Sequence, residues 1–393
     1  MTATSSRHMS PAAAHLPAPS SDALQLSNAL ATRIREEIES AGGWMDFARY
    51  MQLVLYAPGL GYYSAGSTKF GASGDFVTAP ELSNVLGRAL ATTMASELHG
   101  IAVPTILELG AGSGKLAAQI LDALTARGRG DVAYRILEPS ADLRERQSRA
   151  LQRFGDRVTW LERLPDTPID GAVLANEVID ALPVSRFAIR GGKTYPLGVA
   201  CRGGRFQWQE GPQIEALTAA IEELESKLGG KLADGYVSEI CPLLPAWIRE
   251  LAAVLRCGSL VFVDYGLARR DYYHEQRSDG TLVCHYRHRA HDDPFVYPGL
   301  TDVSAWVDFS ACADAGIAAG LDVAGFTTQA QFLLGALAAH PLQSAIDPTA
   351  IGELNALKTL VLPGEMGERF KVLLLRKNLD AVPLPGRDFR DRL

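Results

Sequence analysis

The chain has 393 residues, of which 47% are hydrophobic and 21% are charged, so it can bury a large core without disulfide staples. Its formal net charge of −7 gives no electrostatic reason to expect binding to nucleic acid or to an acidic membrane. No apolar run reaches the roughly 18 residues of a membrane span, and the five scattered cysteines, which form no C-x-x-C pair, indicate reduced thiols in a reducing compartment.

The first 21 residues are rich in Ala, Ser and Pro and are predicted to form a disordered tail. The tail has no continuous apolar core of the kind that a secretory signal needs. A mitochondrial presequence is rich in Arg, whereas here Arg7 is the only basic residue apart from two histidines. We therefore expect a cytoplasmic protein.

Residues 22–104 are predicted to form a helical extension. Apolar residues recur at helical spacing over 23–39, 45–55 and 84–99. Between the second and third helices lies a loop rich in Gly, Tyr and Ser, residues 59–80. Because an irregular segment of this length is often functional, we interpret it as a lid loop.

From residue 105 onward, short apolar strands alternate with helices. Alternation of this kind requires right-handed crossovers and a parallel sheet. The predicted fold class is therefore α/β, with a Rossmann-like sheet domain over 105–393. We predict strands over 105–109, 133–137, 157–161, 171–175, 259–263, 321–327 and 371–376, with helices over 115–126, 141–154, 245–256 and 310–319 and another helical stretch before the last strand.

Two insertions interrupt this domain. The first, at about 184–235, carries two Gly-Gly pairs between short apolar pieces, which predicts antiparallel hairpins followed by a helix over 213–228. The second, at about 266–305, is predicted to hold an irregular segment over 269–302 that is rich in His, Arg, Tyr and Asp.

The strongest single motif is I-L-E-L-G-A-G-S-G-K-L, over residues 106–116. Glycines directly after a buried strand let the chain turn tightly and let a ligand approach the backbone. Position 115 is Lys, so the last glycine of the dinucleotide fingerprint G-x-G-x-x-G, which serves a pyrophosphate, is missing. S-adenosylmethionine has no phosphate, and its cationic groups favour a nearby acid such as Glu108. The alternative for the motif alone is a plain glycine-rich turn.

Glu138 lies at the predicted end of the second strand, 24 residues beyond Gly114. A carboxylate at this position can accept both ribose hydroxyls of a nucleoside cofactor. The position serves S-adenosylmethionine and NAD alike, so the choice between the two cofactors depends on the glycine loop.

Polar residues follow the fourth strand in V-L-A-N-E-V-I-D-A-L-P, over 173–183. We expect Asn176, Glu177 and Asp180 at the carboxyl edge of the sheet, where open α/β folds bind ligands. Alternatively, Glu177 or Asp180 caps the next helix. The candidate cofactor-binding residues are Glu108, Gly110, Ala111, Gly112, Gly114, Glu138, Pro139 and Asn176.

Together these motifs resemble the MidA family of S-adenosylmethionine-dependent methyltransferases, whose mitochondrial members include a respiratory complex I assembly factor. The glycine loop alone is generic, but the other matching segments are specific, and they spread over about residues 45–376. These segments are G-D-F-V-T-A-P-E-L-S (74–83), N-E-V-I-D-A-L-P-V (176–184), H-R-A-H-D-D (288–293), D-V-S-A-W-V-D-F-S (302–310) and M-G-E-R-F-K-V-L (366–373).

The resemblance implies a class I methyltransferase fold, with the three loop glycines, Glu108 and Glu138 around the cofactor. For mitochondrial members it also implies a protein substrate, an arginine on a complex I subunit. We therefore expect a protein substrate here, and a complex I subunit is a candidate. The N-terminal tail favours a bacterial-type member whose target is open.

If the methyl acceptor is an arginine, the chemistry of its side chain indicates which residues contact the substrate. Its guanidinium is protonated in water and has planar N–H forks, so carboxylates can hold it bidentately beside the methyl group. A histidine can accept a proton near neutral pH. The candidate catalytic residues are Glu177, Asp180, Asp75, Glu81, His288 and His291.

Two segments keep alternative interpretations. The residues around Asp75 and Glu81 either fold over the cofactor as a lid or begin a helix with Pro80 at an early position. These two interpretations are compatible with each other. His285, His288 and His291 are spaced three apart, as in some metal sites, but their segment shows no helical stripe that would bring them together. We expect a polar loop there and no metal.

The sequence thus predicts an S-adenosylmethionine-dependent methyltransferase that acts on a protein side chain, arginine by resemblance. A cofactor-binding assembly or scaffold protein is the alternative. An NAD-linked oxidoreductase is a third possibility, which the missing glycine disfavours.

Overall fold

The computed structural model describes residues 15–64, 78–339, 348–380 and 382–393. The chain forms two compact units, and each draws on three segments. We call them the insertion unit, within Met1–Phe76, Pro183–Cys241 and Glu275–Ala305, and the sheet unit, within Val77–Leu182, Pro242–His274 and Trp306–Leu393. Residues 1–14 of the predicted tail and Asp75 of the predicted lid loop lie outside the described residues.

The helices and strands follow the predicted order closely. The described helices are α1 Ser21–Ser40, α2 Phe47–Tyr56, α3 Ala79–Leu82, α4 Val85–Glu97, α5 Lys115–Ala126, α6 Ala141–Leu151, α7 Glu215–Leu228, α8 Leu244–Val254, α9 Arg269–Tyr272, α10 Phe309–Ala318, α11 Gln329–Ala339 and α12 Pro348–Val361. The described strands are β1 Thr105–Leu109, β2 Ala133–Leu137, β3 Val158–Leu161, β4 Ile169–Asn176, β5 Ser185–Arg190, β6 Lys193–Arg202, β7 Arg205–Glu210, β8 Val237–Ile240, β9 Leu255–Leu267, β10 Val283–Tyr286, β11 Arg289–His291, β12 Asp302–Ser304, β13 Val307–Asp308, β14 Asp322–Thr328 and β15 Phe370–Lys377.

The sheet unit is built on one sheet with the strand order β14-β15-β9-β4-β1-β2-β3, and β13 pairs with β9 beside this path. The pairs from β3 to β9 are parallel, whereas β15 runs antiparallel to both of its neighbours. The order changes direction between β1 and β4, which makes this pair the switch point where open α/β sheets bind ligands. The predicted Rossmann-like α/β sheet is confirmed.

Helices cover both faces of this sheet. Val261 and Val263 of β9 face a core cluster that includes apolar residues of α4, α5 and α11. Phe262 lies between them and therefore points to the opposite face. There its ring centroid is 5.7 Å from that of Trp247 in α8, and α8 packs against α10. The central strands β1, β4 and β9 are thus buried on both faces, which explains why apolar residues dominate them.

The insertion unit contains two small antiparallel sheets, β7-β6-β5-β8 and β11-β10-β12. The predicted hairpins are confirmed as β5, β6 and β7, and α2 packs on them through Phe47, whose ring centroid is 4.8 Å from that of Trp208. The prediction of an irregular segment over 269–302 is wrong in part. It contains the short helix α9 and the strands β10 and β11. The two strands are regular because they pair with each other, and β10 also pairs with β12.

Candidate active site

Three neighbouring strands end side by side at the switch point. Leu109 of β1 is in register with Leu137 of β2 and with Ala175 of β4. The residues that follow these three positions are Gly110, Glu138 and Asn176. The structure therefore brings the glycine loop, the predicted ribose acid and the polar residues after β4 to one edge of the sheet.

The glycine loop is open at its start and closely packed at its end. Gly110, Gly112 and Gly114 have φ angles of 62°, 53° and 81°, a left-handed region that favours glycine. Gly110 is exposed and Gly112 half-buried, so their backbone is accessible. A Cβ atom at Gly114 would lie 3.4 Å from Cα of Gln147, an ordinary contact distance, so α6 packs directly against the end of the loop. Ala111 is buried and Pro139 exposed.

Glu108 of β1 is buried directly below the loop, and its Oε2 accepts a 2.8 Å hydrogen bond from Tyr134 Oη. Burial raises the pKa of Glu108 to about 7; the charge of Glu138 adds to the rise, and the Tyr134 hydrogen bond opposes it. At neutral pH this carboxyl is therefore close to its titration midpoint. A cation placed next to it would favour the ionised form.

The backbone after β4 takes a strained conformation that a buried acid holds in place. Glu177 has a φ of 54°, which costs an L-residue roughly 1–2 kcal/mol. Oδ2 of Asp264, in the last part of β9, accepts hydrogen bonds from the backbone N–H groups of Val178, Ile179 and Asp180 at 3.2, 3.0 and 3.3 Å. Burial raises the pKa of Asp264 well above its usual range, and the charges of Asp180 and Glu177 add to this rise.

Glu81 is bound to the glycine loop itself. It lies in α3, where Pro80 stands at an early position, so the helix start predicted around Pro80 is confirmed for the described residues. Its carboxylate accepts a 2.6 Å hydrogen bond from Ser113 Oγ and forms an ion pair with Lys115. These contacts favour a role in bracing the loop over the predicted contact with substrate.

The residues at this edge suit a cationic nucleoside such as S-adenosylmethionine. The backbone at Gly110 and Gly112 carries no side chain, the buried carboxyl of Glu108 lies near the end of β1, and the buried carboxyl of Glu138 directly follows β2. Asn176 Oδ1 is buried and has no hydrogen-bond partner among the residues that the structure describes. An acceptor without a partner costs free energy unless a ligand donates to it, so the site fits a ligand with ammonium and hydroxyl donors.

Comparisons with known proteins agree with this geometry. A model of the S-adenosyl-L-methionine-dependent methyltransferase family Methyltransf_28 matches residues 85–327. The chain belongs to this family. It is a methyltransferase that uses S-adenosylmethionine, and the predicted resemblance to such enzymes is confirmed.

Solved structures and curated proteins include relatives of this methyltransferase. A COG1565 superfamily member from Burkholderia thailandensis, crystallised with S-adenosyl-homocysteine, is 42% identical, with a TM-score of 0.88 over 96% of this chain and 100% of that chain. A native structure of a COG1565 protein from the same organism has a TM-score of 0.84 at 42% identity, with the same coverage. The Drosophila melanogaster protein arginine methyltransferase NDUFAF7 homolog, mitochondrial, is 29% identical over 94% of this chain and 91% of its own length.

The two predicted histidines of the methyltransferase lie in its insertion unit. His288 is exposed in the turn between β10 and β11, with a φ of 61°, and His291 is half-buried in β11. Burial lowers the pKa of His291, so its neutral form dominates at pH 7. In the β10–β11 pair His291 faces Cys284, whereas His285 is one position along and points to the other face. The described residues contain no group of three potential metal ligands.

Four contributors to the site were not singled out from the sequence. Gln147 and Asp264 hold backbone at the strand ends, and Ser113 and Lys115 hold Glu81. Ser113 and Lys115 were inside the glycine motif, so their polar side chains were a usable signal.

No helix within the described ranges is long and apolar enough to cross a membrane.

The pKa of Glu108 gives a testable pH dependence. If Glu108 faces the cationic part of the cofactor, affinity for S-adenosylhomocysteine should fall by about tenfold from pH 8 to pH 6, as the carboxyl with a pKa of about 7 takes up a proton. Glu108→Gln should flatten this difference. Tyr134→Phe removes the hydrogen bond that lowers the pKa, so it should move the midpoint to higher pH. Calorimetric titration at several pH values measures the affinity of the wild type, Glu108→Gln and Tyr134→Phe. The same dependence of affinity on pH in all three proteins would place the cofactor's cation elsewhere.

Proposed function

We propose that this methyltransferase transfers the methyl group to an arginine side chain of a protein. The observation that carries the proposal is the pair of carboxyls of Glu177 and Asp180 at the end of β4, where the buried Asp264 of β9 holds the backbone beside the glycine loop. A guanidinium is a planar cation that binds carboxylates through paired N–H groups. The names of the NDUFAF7 relatives, protein arginine methyltransferases, support the same acceptor.

The proposed cofactor site lies at the three adjacent strand ends. Gly110, Ala111 and Gly112 would supply backbone against the nucleoside, and Glu138 would accept the ribose hydroxyls. Glu108 and Asn176 are assigned to the cationic amino end, because one is a carboxyl and the other offers a buried acceptor oxygen. Gly114 is buried against α6, so it would shape the loop rather than touch the ligand, whereas Pro139 is exposed directly after Glu138 and would lie at the edge of the site.

The residues of this chain mainly hold and orient the acceptor. When bound, S-adenosylmethionine supplies an electrophilic methyl group on a positively charged sulfur. Glu177 and Asp180 would hold the guanidinium so that one nitrogen points at the methyl, which is catalysis by proximity. Asp264 positions both acids, because it fixes the backbone of residues 178–180. The nitrogen gives up a proton as it takes the methyl group. The sequence-based candidates for the acceptor of that proton, His288 and His291, belong to the insertion unit and stay a prediction.

The partner is proposed to be a protein, and a subunit of respiratory complex I is the candidate that the resemblance suggests. The cytoplasmic location predicted from the sequence stays a prediction, since the NDUFAF7 relatives are named as mitochondrial. Neither point is needed for the chemistry at the site.

Methyl transfer from labelled S-adenosylmethionine into cell extract tests the proposal. We expect a labelled protein band that yields methylarginine on acid hydrolysis. Label on lysine, on a small molecule or on nucleic acid would overturn the arginine assignment. Tight binding of S-adenosylhomocysteine without any labelled product would favour the alternative, a cofactor-binding assembly protein. Glu177→Gln under the same conditions serves as the low-activity control.

A further inference from the structure

Gln147 of α6 occupies the gap between the glycine loop and Glu138. Its side chain is fully buried. Its Nε2 donates to the carbonyl oxygen of Gly112 at 3.0 Å and to Oε2 of Glu138 at 3.1 Å. A primary amide has two N–H donors, so both are used here. One side chain therefore links the cofactor loop to the acid at the end of β2.

The orientation of this amide is fixed by Trp160 of β3. The indole Nε1–H donates to Oε1 of Gln147 at 2.9 Å. An indole nitrogen can only donate, so it selects the oxygen end of the amide. The NH₂ end must then face Gly112 and Glu138. If the amide rotated by half a turn, its oxygen would face a carboxylate, which is repulsive.

The Glu138 carboxylate is thus held by a donor on each oxygen. Gln147 donates to Oε2, and the backbone N–H of Ser140 donates to Oε1 at 2.9 Å. These contacts fix the plane of a carboxylate that is itself buried.

We propose that Gln147, oriented by Trp160, is a positioning residue that sets Glu138 to receive the ribose hydroxyls of the cofactor. This rests on the proposed cofactor site, in which Glu138 is the ribose acid. It goes beyond that site by assigning the selectivity for a hydroxylated ribose to a pair of residues, Gln147 and Trp160, that need not touch the ligand.

The test compares two ligands on each variant of the full chain by calorimetry: S-adenosylhomocysteine and its 2′,3′-dideoxy analogue. The wild-type protein should bind the analogue about tenfold or more weakly, the size of one or two hydrogen bonds to a charged group. In Gln147→Leu this preference should shrink by about tenfold. Because the ratio of the two affinities is the readout, any general loss through the Gly112 loop cancels.

Two further variants separate positioning from simple destabilisation. Trp160→Phe keeps the amide but removes the indole N–H, so the preference should shrink in the same direction. Gln329→Leu removes another fully buried amide of the sheet unit, which bonds to Leu360 instead, and should leave the ratio unchanged. Thermal melts establish that each variant is folded. Trp160→Phe carries the test if Gln147→Leu does not fold.

The outcomes separate a failure of the positioning role from a failure of the proposed cofactor site. A wild-type protein that binds both ligands equally would remove Glu138 from the ribose and overturn the inference together with that part of the site. A wild-type preference that persists in Gln147→Leu and Trp160→Phe would overturn the inference alone.

Discussion

Replacing Gly110 with valine should abolish binding of S-adenosylhomocysteine while leaving the sheet folded. Gly110 has a φ of 62°, and a Cβ atom there would lie 3.4 Å from Cγ2 of Val178. The branched side chain would therefore fill the space between the glycine loop and the segment after β4. We expect affinity to fall by about a hundredfold or more, which corresponds to about 2.7 kcal/mol or more.

The difficulty with this variant is backbone strain, because a β-branched residue strongly disfavours positive φ. Gly128 offers a matched control. It follows α5 with a φ of 74°, and a Cβ atom there would meet nothing within 4 Å. Gly128→Val should therefore lose a similar amount of stability, on the order of 1–2 kcal/mol or somewhat more, without losing affinity.

Calorimetry gives the two affinities, and urea denaturation gives the two free energies of unfolding. Wild-type affinity in both Gly110→Val and Gly128→Val would refute the placement of the cofactor at the loop. Loss of affinity in both would show that strain alone, rather than occupied space, disrupts binding.

The sequence was sufficient for the parts of the site that depend on local chain order. Strands 105–109 and 133–137 were predicted with the bounds that β1 and β2 have. Because the strands are parallel and adjacent, the residues that follow them must share one edge. Gly110, Glu138 and Asn176 could therefore be grouped from the order of strands and helices alone.

The remainder depends on packing that local patterns do not encode. Gln147 is one polar residue among several in α6, and it contributes to the site only because that helix packs against the glycine loop, where the side chain reaches Gly112 and Glu138. Asp264 looked like the end of a strand, yet it accepts three hydrogen bonds from a segment 84 to 86 residues earlier. Both are buried polar groups whose partners are distant in sequence.

Glu81 shows how the structure adds a second interpretation to a residue that the sequence predicts to be catalytic. Its residue type and loop location suggested a contact with substrate, but Ser113 and Lys115 occupy its carboxylate. A carboxylate with a hydroxyl and an ammonium already bound is less available to a third partner. Polar side chains inside a ligand loop are therefore candidates for bracing the loop as well as for binding.

Neutralising the acids after β4 should remove methyl transfer while sparing cofactor binding. Glu177→Gln and Asp180→Asn keep the shape of each side chain and remove one charge. If these carboxylates hold the guanidinium, turnover should fall by about a hundredfold in each, in the range seen when one charge-stabilising group is removed from an active site. Affinity for S-adenosylhomocysteine should change by less than about threefold, since these acids are assigned to the acceptor.

Stability provides an independent check on these two variants. Asp180 and Glu177 are like charges that raise the pKa of the buried Asp264. Removing either charge relieves this repulsion, so neither variant should be less stable than the wild type at pH 7 through its charge. Glutamine tolerates the left-handed backbone of residue 177 about as well as glutamate does, so the strain is unchanged.

Glu162→Gln is the matched surface control. This acid follows β3, its side chain is 77% exposed, and it pairs with Arg144. An exposed pair of this kind contributes about 0–1 kcal/mol to the free energy of unfolding, so its loss should not disturb the fold. Turnover and affinity for the cofactor should therefore both stay at the wild-type level. Full activity in Glu177→Gln and Asp180→Asn would exclude both acids from holding the acceptor. Loss of cofactor affinity with unchanged turnover at saturation would instead assign them to the cofactor. Only a fall in turnover at preserved affinity, absent from Glu162→Gln, fits a cationic acceptor bound at the ends of β4 and β9.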